Sequence, residues 1–559
     1  MIKSFLFGFF LTFSTLLATF KPVNSPNRLS YVSYDKDRSE FDTSLFYGNT
    51  KTMKGADPSL IYVAPEEGNP DTGYYYAYIT ATSTINTYRT KDMTNWQFLG
   101  ATFRPNLDSN WAYTNFWAPS VIYDDSDGYY YMFYSATWYL FPSSHYMSVA
   151  RSKSPAGPFE ELGDGKAPLI NFVNVPKNNP LFEYHADSSL SGYPNGYFSC
   201  IDGEAFIDPL TKKKYLLFVH DKGAGYSYSC VYIMEMKSWT EPKYETITRL
   251  TECEYLEVGG TEKIDDATVN EGPFMYYHNG LYYLTFSTHI YTSPSYQVRQ
   301  AVSHSPFGPF KKVPVEKGGT VITTDGISVY TASSGHHSFI EIDDELYIGY
   351  HTFYNDTDIS EARKIKFDKV EFVTNQEGLE VMYANGPTVS LQPIPAGISG
   401  YENKARNAQV YANNVSKDSH PYWLNDGTIM MHENSVVNEC EFQKGNSSIT
   451  LKWNEYVDAK AIMVYNSRDY EKAFTKIDNI LIHFKGKDGR EYTCDTGEIK
   501  FNFDIYSSLD FKLMFAGASS TIEFDNLSVN RIDIYFSNSN GGEDAPIAIS
   551  EITVLGRKA

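Results

Sequence analysis

Apolar residues fall in short alternating or aromatic runs, broken every few positions by Gly, Asn, Asp and Pro. Long stretches with the 3.6-residue period of an amphipathic helix are nearly absent. The pattern predicts an all-β protein. Five stretches repeat one theme: a short strand, a polar turn, then a second aromatic strand. They are DPSLIYV with the later YYYAYIT from Asp57, WAPSVIYDDSDGYYYMFYS from Trp117, IDGEAFIDPLTKKKYLLFV from Ile201, NEGPFMYYHNGLYYLTFS from Asn270 and GHHSFIEIDDELYIGYHTF from Gly335. Their starts lie about 60 to 85 residues apart, room for a four-stranded blade and its loops, so the expected fold is a five-bladed β-propeller. A second echo, MSVARSKSPAGPFEEL at 147–162 against VRQAVSHSPFGPFKKV at 298–313, favours blades over an array of sandwiches.

The repeat fades after about residue 385, and LQPIPAGISG at 391–400 has linker character. SSITLKW, AKAIMVY, NILIHF, RIDIYF and AISEITVLG then mark a separate β-sandwich of ordinary domain size. The expected organisation is a signal peptide at 1–25, a propeller at 28–390 and a jelly-roll-like sandwich at 401–559. The N-terminal MIKSFLFGFFLTFSTLLATFKPVNS supplies a Lys, an apolar run and a polar, Pro-containing follow-on, so a secreted protein is expected.

Composition narrows the partners. With 46 Tyr, 36 Phe and 7 Trp the chain is rich in rings that favour pleated sheet and stack on sugar-like ligands, and its net charge of −21 argues against nucleic acid and anionic membranes. Cys200, Cys230, Cys253, Cys440 and Cys494 show no CxxC metal spacing; in an oxidising compartment Cys440 with Cys494 is the expected disulfide. Asn355, Asn414, Asn446 and Asn526 head Asn-x-Ser/Thr sequons.

The inner strand of each blade points its N-terminal end into the central channel, so residues heading those strands converge. Here these are Asp57, Trp117, Asp202, Glu271 and His336. Asp57, Asp202 and Glu271 each have a plain turn reading before Pro or Gly. Three carboxyls at one place in a repeat are costly by mutual repulsion unless chemistry uses them. Two carboxyls flanking a bond suit glycoside cleavage, one ionised to activate water and one protonated to release the leaving oxygen. A third would raise the pKa of the acid and orient it.

GADPSLIYV, FWAPSVIYDD, IDGEAFID, NEGPFMYY and GHHSF, in this order across residues 50 to 385, resemble the glycoside hydrolases of family 43. The resemblance implies a five-bladed propeller that hydrolyses with inversion and needs no cofactor for its chemistry. It implies Asp57 as general base, Asp202 as pKa modulator and Glu271 as general acid, with Asp57 and Glu271 about 6.5 to 9.5 Å apart. It makes His336, favoured over His337, a holder of water or of a channel cation such as calcium. Ser120 stands where many relatives carry Asp. Trp117 and Glu204 are candidate substrate contacts; Phe116 is a further one, although a core role suits it better. The C-terminal region resembles galactose-binding-like (discoidin-type) domains, in which the loop of Asn425, Asp426 and Gly427 and the glutamate Glu551 surround a structural calcium; a plain turn remains the alternative.

The expected protein is a monomeric, secreted glycosidase acting on arabinose- or xylose-containing plant polysaccharide, first of all an exo-acting α-L-arabinofuranosidase. Long loops, for instance around TWYLFPSSHY at 137–146, and the appended sandwich favour exo action. A β-xylosidase, an endo-arabinanase and a non-catalytic carbohydrate-binding propeller are the alternatives. The related fructan-cleaving propellers are disfavoured, because the chain has GADPS at the start and no Arg-Asp-Pro.

Overall fold

The computed structural model describes most of the chain. Outside the description lie residues 1–20, 24–30, 34–43, 182–198, 222–228, 252–268, 325–332 and 354–362, with shorter gaps elsewhere. Most of the expected signal peptide, together with Cys253 and Asn355, falls in these segments. No helix among the described residues is long and apolar enough to cross a membrane.

Each repeat forms an antiparallel sheet. Blade 1 comprises Ala56–Val63, Tyr74–Thr80, Ile85–Thr90 and Gln97–Phe103; blade 2 Ala112–Asp124, Tyr129–Trp138, Phe141–Ser152 and Glu160–Glu161. Blade 3 begins with Cys200–Ile207, Lys214–His220 and Cys230–Ser238, blade 4 with Asn270–His278, Leu281–Thr288 and Gln297–Ser303. Blade 5 runs Gly335–Ile342, Glu345–Thr352, Lys364–Thr374 and Glu380–Ala384. The first strands of successive blades touch in a closed ring, the fifth returning to the first. Tyrosine abundance has a local cause. The cross-strand pairs Tyr62–Tyr75, Tyr123–Tyr130 and Tyr277–Tyr282 occupy one place in three blades, with ring centroids 4.6, 4.7 and 5.0 Å apart. Such pairs are a main unit of sheet stabilisation. The sequence echo is structural as well. Ser152 and Ser303 accept the amides of Ser154 and Ser305, and a cis Gly-Pro bond follows in both copies.

One expectation fails in blade 2. TWYLFPSSHY is not a long loop; Trp138 pairs with Phe141 and Thr137 with His145, leaving Tyr139 and Leu140 as the turn. The Trp138 and Phe141 rings, with centroids 5.1 Å apart, pack across the turn and hold it closed.

The inner strands share a distortion that matters for function. Each slips its register at one shared place, between Ala56 and Ser59, Trp117 and Ser120, Ile201 and Glu204, Glu271 and Phe274, and Gly335 and Ser338, and blade 2 slips twice more before it. Within the shared slip one residue of each strand is left-handed: Asp57 (φ 52°), Ala118 (45°), Asp202 (57°), Gly272 (51°) and His336 (45°). Serines just beyond the bulge tie neighbouring blades. Ser59 Oγ accepts the Val121 amide at 2.9 Å, Ser120 Oγ the Ala205 amide at 3.2 Å, and Ser338 Oγ the Leu60 amide at 3.1 Å, which joins the last blade to the first.

The C-terminal region is a sandwich of sheets around a core that includes Phe442, Leu451, Ile462, Ile482, Ile534 and Val554. Its longest strands, Ser447–Asn466 and Ser519–Phe536, pair along most of their length. Residues 461–466 are buried on both faces, because Met463 and Tyr465 pack with Phe46, Leu391 and Met431 in a cluster linking the two parts. Tyr31–Ser33 also pairs with this sheet.

Cys440 and Cys494 are not bonded to each other. Cys440 pairs with Ile549 on one strand and Cys494 with Ile482 on another, so the sheet separates them. Both behave as small core residues, with burial pushing each thiol up to about 12.

Replacing Ser59 with Ala leaves the buried Val121 amide without its partner. The expected loss is about 1–3 kcal/mol, read as a lower urea midpoint for the propeller transition; an unchanged midpoint contradicts the stapling role.

Candidate active site

The bulges define the site. The left-handed residues fall at one place in each inner strand, and three of them, Asp57, Asp202 and His336, come together. This corrects the alignment read from sequence. The equivalent positions are Asp57, Ala118, Asp202, Gly272 and His336; Trp117 and Glu271 each stand one residue earlier. Glu271 therefore enters the site from a neighbouring register. Gly272 is required beneath it, since a Cβ there would lie 3.0 Å from the His336 ring on an already left-handed backbone.

The structure brings Asp57, Asp202, Glu271 and His336 together. His336 Nδ1 is 3.4 Å from Asp57 Oδ1 and 3.9 Å from Asp202 Oδ2. Asp202 Oδ2 accepts the amide of Gly272 at 2.9 Å, which fixes it beside the residue following Glu271. Glu271 Oε1 accepts a 2.6 Å hydrogen bond from the buried Tyr296 hydroxyl. Asp57 Oδ2 accepts from Thr80 Oγ1 at 2.7 Å, and its Oδ1 meets Arg363 Nη1 at 3.1 Å and His351 Nδ1 at 3.2 Å. Arg363 also lies 3.3 Å from His351 Nε2. A guanidinium only donates, so Nε2 accepts and the ring proton sits on Nδ1, facing Asp57.

These surroundings split the acids. Burial alone would push Asp57 up, but His336, Arg363 and His351 together hold its carboxyl well below the usual carboxylate range. Burial pushes Glu271 up to about 7, with the Tyr296 hydrogen bond pulling back and the charges of Asp221 and Asp57 adding to the rise. Asp202 is raised well above its ordinary value, first by burial and then by the charges of Glu271 and Asp57. The sequence reading had Asp202 raising the pKa of Glu271. In the structure burial and the neighbouring acids push both carboxyls up, which favours a proton kept on the pair. The site therefore offers one carboxylate and one stored proton.

The other candidates divide. His337 turns away and meets Thr285 Oγ1 at 2.6 Å, leaving His336 to the acids. Trp117 is 37% exposed and stacks on His145, open to a ligand on its other face. Phe116 is not available for substrate; it is buried and packs with Phe103 and Tyr134 in the blade core. Glu204, raised by burial to about 8, interacts with Ser120 of blade 2, two residues along the strand from Asp202. Among the described residues no group of three or more His, Cys, Asp or Glu is arranged to hold a metal. In the sandwich, Asp426 and Glu551 do come together. Burial raises both, and the charge of Asp426 is the next cause for Glu551. Asp426 Oδ1 accepts the Thr428 amide, and Glu551 accepts from Gly427 and Asn403. Two buried, mutually repelling carboxyls are a donor set that suits an oxygen-seeking cation.

Sequence reading missed Thr80, Tyr296, His351 and Arg363. His351 lay in the quoted YIGYHTF, but the strand to which it belongs is the second of its blade. Tyr296 follows an irregular loop and Arg363 directly precedes the third strand of blade 5, where no repeat marks position.

A closed five-bladed propeller that gathers Asp57, Asp202, Glu271 and His336 at one site suits a glycosidase. The family model for glycosyl hydrolases family 43 matches residues 51–376, and the chain belongs to that family. A stretch of 118 residues, 21% of this chain, is 32% identical to a β-D-galactofuranosidase of Aspergillus niger; the match spans only 32% of that relative. The solved structure of a thermostable family-43 glycoside hydrolase is 26% identical, with a TM-score of 0.47, over 62% of this chain and 99% of that one. An endo-arabinase of Bacteroides thetaiotaomicron shares 20% identity, with a TM-score of 0.42, over 58% of this chain and 97% of its own.

Tyr296→Phe removes the donor that favours ionised Glu271, so the pair should hold its proton to higher pH. The basic limb of kcat/KM, expected near pH 7 in the wild type, should move up by about one unit. A limb that stays in place contradicts the role of this hydroxyl.

Proposed function

We propose that this chain is a secreted, inverting, exo-acting α-L-arabinofuranosidase that trims arabinose from plant polysaccharide. The observation that carries the reading is the split among three buried acids. Asp57 is held ionised by Arg363, His336 and His351, while Glu271 and Asp202 keep a proton. Asp57 then activates water as general base. Glu271 donates to the leaving oxygen, and Asp202 returns charge to Glu271 and holds its orientation. Half-exposed rings stand beside the base: Trp117 from blade 2, and Tyr291, over which the Arg363 guanidinium lies at 4.7 Å. Such rings suit the apolar face of a sugar. The appended sandwich supports an enzyme held on polymer, with Asp426 and Glu551 as calcium ligands that stabilise it.

A second reading is a β-D-galactofuranosidase, favoured by the 32% identity to the Aspergillus niger relative. α-L-Arabinofuranose and β-D-galactofuranose share their ring configuration and differ in the exocyclic carbon chain, so one pocket shape serves either.

Hydrolysis of the 4-nitrophenyl glycosides of α-L-arabinofuranose, β-D-galactofuranose and β-D-xylose, beside linear arabinan, tests the proposal. The arabinofuranoside should be cleaved fastest, and Glu271→Gln should lose activity by at least about a hundredfold. Preference for arabinan alone contradicts exo action, and a Glu271→Gln variant as active as wild type contradicts the assigned acid.

Calcium should raise the melting temperature of the sandwich transition, and Glu551→Gln should abolish that rise. A melting temperature indifferent to calcium and chelator rules out the ion.

A further inference from the structure

The bulges are held by a second ring of contacts, in which one member has no polar side-chain atom. The second-strand residue opposite each bulge is Thr80, Ser135, Val219, Ser287 or His351, paired with Ala56, Trp117, Ile201, Glu271 and Gly335 respectively. In blades 1, 2 and 4 a hydroxyl at this place accepts the left-handed amide of the next blade. Thr80 Oγ1 accepts the Ala118 amide at 2.8 Å, Ser135 Oγ the Asp202 amide at 3.2 Å, and Ser287 Oγ the His336 amide at 2.8 Å. In blade 5 His351 stands at this place, but its protonated Nδ1 faces the Asp57 carboxylate at 3.2 Å and does not accept the Asp57 amide. In blade 3 the place is taken by Val219, fully buried and without a polar atom. The amide it would have served belongs to Gly272, and that amide is bound instead by Asp202 Oδ2.

Blade 1 shows what a hydroxyl does here. Thr80 Oγ1 stands between Asp57 and the next blade, accepting the Ala118 amide while donating to Asp57 Oδ2 at 2.7 Å. Asp57 thus receives a hydroxyl and makes no contact with the neighbouring bulge amide. Asp202 occupies the same place in its own blade, lacks the hydroxyl, and reaches across to Gly272 itself.

We propose that Val219 is a positioning residue for the cleavage reaction: by leaving the Gly272 amide free it draws the Asp202 carboxylate across the blade boundary and fixes it beside Glu271. The proposal rests on the reading of Asp202 and Glu271 as the proton-holding pair. The groups facing Asp202 are Glu271, Asp57 and Asp221, all acidic, together with His336 and the Gly272 amide. A hydroxyl at position 219 would take the amide and donate to Asp202, as Thr80 does for Asp57. Drawn away from Glu271, Asp202 would repel it less, and the pair would lose its last proton at lower pH.

Val219→Thr tests this, because it keeps the β-branch and nearly the same volume while adding the hydroxyl. Val219→Ala is the control that loses bulk and adds no donor. On whichever aryl glycoside the wild type hydrolyses, Val219→Thr should lower kcat by about tenfold with little change in KM. It should also move the basic limb of kcat/KM downward by at least about half a pH unit. Val219→Ala should keep the wild-type limb. A crystal structure of Val219→Thr should show the introduced hydroxyl on the Gly272 amide and Asp202 withdrawn from it. The proposal is overturned if the Val219→Thr profile superimposes on the wild type, if Val219→Ala shifts the limb equally, or if Gly272 still donates to Asp202 in the variant crystal. That last measurement needs no substrate, so it decides the point even if every glycoside in the panel fails and the functional reading falls with them.

Discussion

A left-handed residue near the head of every inner strand is the constraint on which the rest of the molecule depends. For residues other than glycine this backbone costs on the order of 1–2 kcal/mol each, and four of the five positions carry a Cβ. The cost is met by the surrounding ladder. The bulge amides of blades 2, 3 and 5 are taken by second-strand hydroxyls, and serines beyond the bulge accept amides from the next blade. Strain, stapling and function are thus one device. The geometry that aims Asp57 and Asp202 into the channel also closes the ring of blades.

Once aimed, the acids differ because their neighbours differ. Asp57 has a guanidinium, two imidazoles and a hydroxyl within hydrogen-bonding reach or close to it. Asp202 has one backbone amide and three acidic neighbours. Glu271 has a phenol. In a buried site the cation decides which carboxyl gives up its proton first. The neighbours of Asp57, His336 first and then Arg363, do more to set acid and base apart than any feature of the acids themselves.

Much of this was legible in the chain. Periodicity and the echoed SPxGPF segments gave blade number and order, since each blade repeats one local pattern of alternation. The three acids were legible because they recur at one place in that pattern. The exact register was not. Asp57 and Glu271 look equivalent as strand heads, and only the position of the bulge shows that Gly272 is the true counterpart of Asp57. Partners on second and third strands, Thr80, Tyr296, His351 and Arg363, were illegible because they gather by pairing across the sheet and through irregular loops. The disulfide expectation failed for a related reason: Cys440 and Cys494 share a domain, but strand order puts them on different strands that do not pair.

The central claim is that an ionised Asp57 and a protonated Glu271 act from opposite sides of the scissile bond, with water between base and sugar. Proton NMR of the first sugar released from the cleaved aryl glycoside tests this most directly. The account predicts that the first-formed product has the anomeric configuration opposite to that of the substrate, equilibrating only afterwards. A first-formed product with the configuration retained would mean that a carboxylate attacks the sugar directly, and would contradict the arrangement described.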